Sequence, residues 1–276
     1  METYEPLKKI AGRAKQSEDK TLTLVENLSR NPIELSRYRN ERNIMFYPIC
    51  STTKGKRLDP INYTSPDGKY YLEVTANHTY GMVKATDLDI LRYAMSKAGE
   101  IKWQTGIFPE YVEFSAYELL KALKKPTSGY SYTWVRSALA RLSSTTYKTN
   151  IWKGEETVFF SLAECSFEDR SRKLEKIKIH FNHRLIESVQ SNNALLTVDE
   201  EVILETKSQL RKRLLELIKT AIGAKYSWQV GFQTLKNLLS AEETSNKEFK
   251  RSLEKTQLPW QISIEKFDKI TFTKLS

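Results

Sequence analysis

Apolar positions along the chain come in blocks of alternating and helical spacing, and the blocks follow one another in a readable order. Residues 1–40 are polar and charged, with apolar residues scattered at partly helical spacing, which predicts a mobile N-terminal arm with some helix. Order is expected to begin at the apolar run Ile44–Ile49. Ile61–Tyr63, the turn Ser65-Pro66-Asp67-Gly68 and the aromatic, β-branched run Tyr70–Ala76 predict a β-hairpin. Thr86–Ala98 then carries Leu88, Leu91, Ala94 and Met95 on one helical face, with Gly99 as the expected stop. Ser115 and Glu118 have the spacing of a capping box, which satisfies two orphan amides at a helix start, and that helix should stop at Pro126. Past the turn Thr127-Ser128-Gly129, Val135, Ala138, Leu139 and Leu142 line one face of a helix over Ser131–Ser144. Two strand-like runs follow, Thr145–Trp152 and Thr157–Leu162, and read as its hairpin.

Helix, helix, helix, hairpin is the order of a winged helix, in which the second helix of the helix-turn-helix enters the DNA major groove. After a charged stretch (Glu168–Lys176), the alternating Ile177, Ile179 and Phe181, a short helix at His183–Val189 and a run at Leu195–Val198, the order recurs. Ser208–Ile222, Phe232–Leu239 and Asn246–Thr256 read as three helices, and Ile262–Ile264 and Ile270–Phe272 as two short strands. Val135-Arg136-Ser137-Ala138-Leu139 aligns with Phe249-Lys250-Arg251-Ser252-Leu253, a weak internal repeat. The expected fold is α+β: an arm over 1–40, a first winged-helix domain with an extra N-terminal β-hairpin over 41–198, and a second winged-helix domain over 199–276.

Charge sharpens this picture. Lys121–Lys153 holds seven Lys/Arg and no Asp or Glu, where the chain's own composition would place about four acids. Tyr130, Tyr132, Trp134, Tyr147 and Trp152 are interleaved with those cations. A one-sign field on a helix-turn-helix scaffold suits DNA. A solvated lysine face is the plainer alternative, but it normally mixes signs. With Val135, Ala138, Leu139 and Leu142 inward, Tyr132, Thr133, Arg136 and Ala140 face out. Arg136 is the expected base reader, since a guanidinium can bond guanine O6 and N7 together; simple phosphate contact is the alternative. Lys121, Lys124, Lys125, Tyr130, Lys148 and Lys153 are expected at phosphates, with Lys148 and Lys153 on the first wing, and Trp134 is expected in the core. In the second copy Lys247, Lys250 and Arg251 face out, although Glu248 and Glu254 lie among them.

Other chemistry finds little support. A net charge of +10 with 39% hydrophobic residues describes a globular polyanion binder. Cys50 and Cys165 are the two cysteines and form no CxxC, which fits a reducing cytoplasm. Neither a signal peptide nor an 18-residue apolar run is present, so no membrane role is expected. His180 and His183 are spaced poorly for a paired metal site on one strand face, and His183 reads as a helix start. Asp87 and Asp89 precede an apolar run and read as a cap and a helix-dipole partner. The phosphate-binding G-x-x-x-x-G-K-[ST] is missing, so no P-loop ATPase or helicase is expected; a binding role without cofactor or catalytic residue is the expectation.

Several strings resemble the plasmid replication initiator protein A family, the RepA/TrfA-type initiators built from tandem winged helices. They are RNIMFYPICSTTKGKR (42–57), INYTSPDGKYYLEVT (61–75), YGMVKATDLDIL (80–91), SALARLSSTTYKTNI (137–151), KIKIHFNHRLIESV (176–189) and LPWQISIE (258–265). The resemblance runs from about Arg42 to Phe272. It implies binding to repeated double-stranded sites at an origin, local opening of the duplex and recruitment of host initiator or helicase-loading proteins; a homodimer is left open. One departure is the acidic second turn, Glu242-Glu243, where the family more often has a neutral, glycine-bearing turn. That departure speaks against close phosphate contact at this turn. A winged-helix transcriptional repressor and a rolling-circle nicking initiator are the rival readings. The arm over 1–40 is expected to be dispensable for DNA affinity.

Overall fold

The computed structural model describes the backbone of residues 5–152, 154–170, 173–192, 194–199, 204, 206–266 and 268–275, with side chains over the same residues except 5–17, 170, 173–174 and 192. The chain opens with a long helix, α1 (Glu5–Arg30), followed by strand β1 (Tyr38–Glu41) and the short helix α2 (Arg42–Phe46). The segment expected to be a mobile arm is thus largely structured: Val25 and Ser29 are buried, and Leu28, Ile33 and Leu35 pack on the core. The seam is short and half polar, so it does not stand out in a pattern of scattered apolar residues. β1 pairs antiparallel with β9 (Leu195–Val198), Tyr38 opposite Val198 and Glu41 opposite Leu195.

Next come β2 (Ile61–Thr64), β3 (Tyr71–Thr75) and the helix α3 (Leu88–Thr105). α3 does not stop at Gly99. It runs on to Thr105, and Gly106 caps it at φ 78. Gly99 sits mid-helix because β1 and β9 come close: a Cβ there would lie 2.8 Å from Leu195 Cδ2 and 2.9 Å from Arg39 Cδ. Here glycine marks close approach rather than a helix end.

From α3 onward one unit is built twice. In the first copy α3 leads to β4 (Tyr111–Ser115), α4 (Ala116–Ala122), α5 (Gly129–Ser144), β7 (Ala163–Arg170) and β8 (Lys173–Phe181), and the sheet order is β4-β8-β7. In the second, α7 (Gln209–Ile222) leads to β10 (Ser227–Gly231), α8 (Phe232–Leu238), α9 (Asn246–Lys255), β11 (Trp260–Glu265) and β12 (Lys269–Lys274), with sheet order β10-β12-β11. In both, the first strand pairs with the last. Ser115 faces Lys176 in one and Gly231 faces Lys269 in the other, at the start of matching strings KIKI and KITF.

The hairpin of the first copy is therefore not the one expected. β5 (Thr146–Thr149) and β6 (Val158–Phe160) pair as anticipated, but β5 also pairs with β3, giving a separate four-stranded sheet β2-β3-β5-β6. The hairpin on the sheet of the repeated unit is β7–β8, whose strands carry the charged stretch Glu168–Lys176. Mixed charge hid the strand: only Ile177, Ile179 and Phe181 show the alternation.

Helix α6 (His183–Asn192) starts at His183 as expected, and His180 lies in β8 with its ring 5.2 Å from that of Tyr111. α3 and α7, the first helices of the two copies, run side by side in the same direction. Ala85 N donates to Gln209 Oε1, Lys212 Nζ to Asp89 Oδ1 (3.0 Å), and Arg92 Nη2 to Glu216 Oε1 (2.7 Å). Arg213 adds a bond to Glu216 (2.8 Å) and Asn40 another (2.8 Å), and all six of Asn40, Asp89, Arg92, Lys212, Arg213 and Glu216 are buried. Burial alone would raise the Glu216 carboxyl; Arg92 and Arg213 outweigh it and hold the group below its usual range. Asp89 lies in the first turn of α3, where a helix-dipole partner was expected, and the cap expected of Asp87 is not made. Asp87 instead accepts from Lys84 N and takes both Nε and Nη2 of Arg141 at 2.7 and 2.8 Å.

Candidate nucleic-acid interface

The two helix-turn-helix turns match bond for bond. α4 begins with the predicted capping box: Glu118 N donates to Ser115 Oγ, and Ser115 N to Glu118 Oε2. It ends at Leu123, after which Lys124 takes a left-handed φ of 51°. α8 ends at Leu239, and Ser240 takes φ 54°. Lys124 N bonds Lys121 O as Ser240 N bonds Asn237 O, and Lys125 N bonds Leu120 O as Ala241 N bonds Lys236 O. Side-chain burial in the following helices repeats the same i, i+4 spacing, set two residues nearer the turn in the second copy: Val135 and Leu139 are buried in α5, Phe249 and Leu253 in α9.

That register fixes which side chains look outward. On α5 they are Thr133, exposed, with Arg136, Ser137 and Ala140 half-buried; the matching positions on α9 are Lys247, Lys250, Arg251 and Glu254. Tyr130 is 86% exposed at the start of α5, while Tyr132 and Trp134 are half-buried and pack against the core. Thr133 Oγ1 donates to Gly129 O.

Arg136 is engaged within the protein. Its Nη2 lies 2.6 Å from Asp169 Oδ1 on β7, and both side chains are partly solvated. Such an exposed pair is worth less than about 1 kcal/mol and exchanges readily for another anion. Lys121 is exposed in the last turn of α4, 5.6 Å from the Tyr117 ring centre, and Lys124 is exposed in the turn. Lys125 lies over Trp134 at 4.7 Å, a cation–π contact that seats the start of α5. Lys148 points from β5 toward Glu73 on β3 (3.3 Å), in the separate sheet rather than on the hairpin of the repeated unit. Lys153 lies outside the described residues. On α9, Lys247 and Arg251 are exposed and Lys250 sits 3.7 Å from Glu254. The predicted residues thus form two groups: Lys121 to Arg136 around the first turn, and Lys247 to Arg251 on α9.

The sequence reading missed what braces the turns. Tyr38 Oη donates to Ala122 O at the end of α4 (2.7 Å). Thr52 Oγ1 donates to Leu239 O (3.0 Å), Arg57 Nη1 to Ser240 O (3.0 Å), and Ser240 Oγ to Cys50 O (3.1 Å). One segment, residues 38–57, therefore holds both turns from below. Glu242, one of the two acids of the second turn, is half-buried, with its carboxylate 4.0 Å from Arg57, and burial raises its pKa. No local signal marks these braces, because each partner is a backbone carbonyl far away in sequence.

Comparison with known proteins agrees with this geometry. The chain is similar, at 28% identity over 262 residues, to the "Putative replication protein" of Wigglesworthia glossinidia brevipalpis, a match covering 88% of this chain and 90% of that one. Its fold is similar to the crystal structure of domains 2 and 3 of RctB, with a TM-score of 0.61 at 11% identity, over 84% of this chain and 98% of the other. The family model for Replication initiator protein A matches residues 39–259, a span that opens within β1 and takes in the braces of the second turn, both turns and both outward helices. With most of its length inside that match, the chain belongs to the Replication initiator protein A family.

Proposed function

We propose that the protein is a plasmid replication initiator that binds repeated double-stranded sites at its origin through two winged-helix modules, α3 to β8 and α7 to β12. Bound copies promote opening of an adjacent A·T-rich segment and recruit host replication proteins. The observation that carries this reading is the duplicated helix-turn-helix, whose two turns repeat the same backbone bonds ahead of α5 and α9, with the copies joined by the buried contacts between α3 and α7. Two reading helices on one rigid frame dock on successive major-groove faces of one duplex. Phosphate contacts from Lys121, Lys124, Lys247 and their neighbours supply affinity, and Thr133, Arg136 and Arg251 supply sequence preference. Distortion of the bound duplex favours melting at steps that deform easily. The activity is binding, and no covalent chemistry on DNA is proposed.

The test is a binding titration with duplexes carrying tandem repeats from DNA near the gene, against scrambled duplexes, at several salt concentrations. Preference for the repeats, with log K falling against log salt at a slope near −5 for about six neutralised phosphates, is expected. A slope near zero rules out the electrostatic footprint. Incubation with a supercoiled origin plasmid and Mg²⁺ separates the rivals: a nicked plasmid or a tyrosyl–DNA adduct would establish the rolling-circle reading instead.

A further inference from the structure

Beside α9, between the two copies of the repeated unit, lies an open groove with a cavity volume of about 880 Å³. One wall is residues 52–54 and Thr86, just ahead of α3; the second is the first turn of α7, from Lys207 to Arg211; the third is the flank of α9 with Ser252, Lys255 and Thr256. Among the described residues that line it none is acidic. Lys54, Lys207, Arg211 and Lys255 bring four cations, and hydroxyl and amide side chains make up most of the remainder. The three lysines are exposed. Asp87 and Asp89, the nearest acids of α3, are fully buried and bonded to Arg141, Arg92 and Lys212.

The parallel packing of α3 and α7 brings the N-terminal ends of both helices to this groove. Each end carries partial positive charge on its first amides. Ser208 caps α7 by accepting from Arg211 N, and Gln209 ties that end to Ala85 N and Thr53 O, so the wall is preformed. Lys255 follows Lys247 and Arg251 along α9, which makes the groove continuous with the outward face of that helix. A cleft of hydroxyls, amides and cations without an acid matches the chemistry that holds a phosphodiester backbone.

We propose that this groove is a backbone clamp: it grips the phosphates of the same duplex, beside the stretch that α9 reads. The proposal rests on the reading of α9 as a DNA-facing helix, and it adds contacts from Lys54, Lys207 and Lys255, outside both helix-turn-helix turns. The ligand chemistry is the phosphodiester of duplex DNA, not a free nucleotide.

The test uses the full chain carrying Lys54→Gln, Lys207→Gln and Lys255→Gln together. All three side chains are exposed, so thermal stability should match that of the parent. Binding to the repeat duplex and a scrambled duplex is measured across salt, with hydroxyl-radical footprints of each complex. The expected result is a salt slope shallower by about 2–3, equal weakening on both duplexes, and lost protection at one short backbone segment. A parent-like slope and footprint overturn the clamp, as does a shallower slope with an unchanged footprint, which assigns the effect to net charge. Binding of inorganic pyrophosphate to the parent but not the variant, with DNA binding unaltered, also overturns it in favour of a free phosphate ligand. A parent that shows no salt-dependent duplex binding at all fails the proposed function itself, so the two failures are distinct.

Discussion

Arg136 and Lys124 are the single residues at which the proposed interface is most directly tested. Arg136 stands on the outward face of α5 but pairs with Asp169 across to β7, so its guanidinium is preoriented rather than loose. Arg136→Ala should change stability by less than about 1 kcal/mol, since the pair is solvated. If Arg136 bonds a guanine, the substitution costs ~1–3 kcal/mol of binding and relaxes preference at one base position, whereas Lys247→Ala weakens all sequences alike. Titrations against single-position variants of the repeat distinguish these outcomes; uniform weakening by Arg136→Ala would make it a phosphate contact. Lys124 holds a left-handed backbone that costs a side-chain-bearing residue ~1–2 kcal/mol. Lys124→Gly should therefore keep or raise the thermal midpoint while flattening the salt slope by about 1. A lowered midpoint would mean that the Lys124 side chain supports the turn.

At the scale of elements, the helix ends and turns are where local sequence and fold agree best. Ser115 and Glu118 close the capping box that their spacing predicts, and Ser115→Ala should lower stability by about 1 kcal/mol, read from the denaturant midpoint at constant m. An unchanged midpoint would show that β4 holds α4 without the cap. The first hairpin of the repeated unit went unrecognised for the opposite reason. Nothing local in Thr146–Thr149 says that its second neighbour is β3, because that pairing is set by a strand more than seventy residues earlier. Lys148 moves with its strand, away from the hairpin β7–β8 and toward Glu73. Gly99 repeats the lesson within a helix: its role is visible only with Arg39 and Leu195 against it.

For the whole molecule, the buried cluster between α3 and α7 joins the two copies. Arg92→Met leaves Asp89 and Glu216 short of a buried partner and should cost ~3–5 kcal/mol. A single cooperative transition at a lower denaturant midpoint is expected; loss of only the second copy's structure would show that the copies fold separately. The pH dependence has a definite sign. Glu216 is held below its usual range in the folded state, so its contribution is present above the unfolded value and is lost as pH falls through the folded one. Glu216→Gln should therefore be less stable at neutral pH and lose less on acidification than the parent; parallel curves would place the acid sensitivity elsewhere. Deleting residues 1–40 removes Val25, Tyr38 and Asn40 from the core, so the thermal midpoint should drop sharply and DNA affinity with it, against the expectation of an arm dispensable for affinity. An unchanged midpoint would show that this segment is peripheral.

The sequence alone determined the helices and turns whose signals are local: the capping box, the apolar faces of α5, α7 and α9, the hairpin β2–β3, the recurring element order, and the family strings that run through them. Hydrophobic spacing also found most of the core, because burial of an apolar face leaves a periodic trace. It could not find Arg92, Lys97, Lys212, Arg213 and Glu216 inside that core, since a charged residue in a helix pattern reads as solvated until its partner is known. Tertiary structure alone decided which hairpin joins the repeated sheet, which carbonyls Tyr38, Thr52 and Arg57 brace, and where two helix starts meet beside α9. Each of these is a pairing between distant segments, and periodicity along one segment carries no record of what lies across from it.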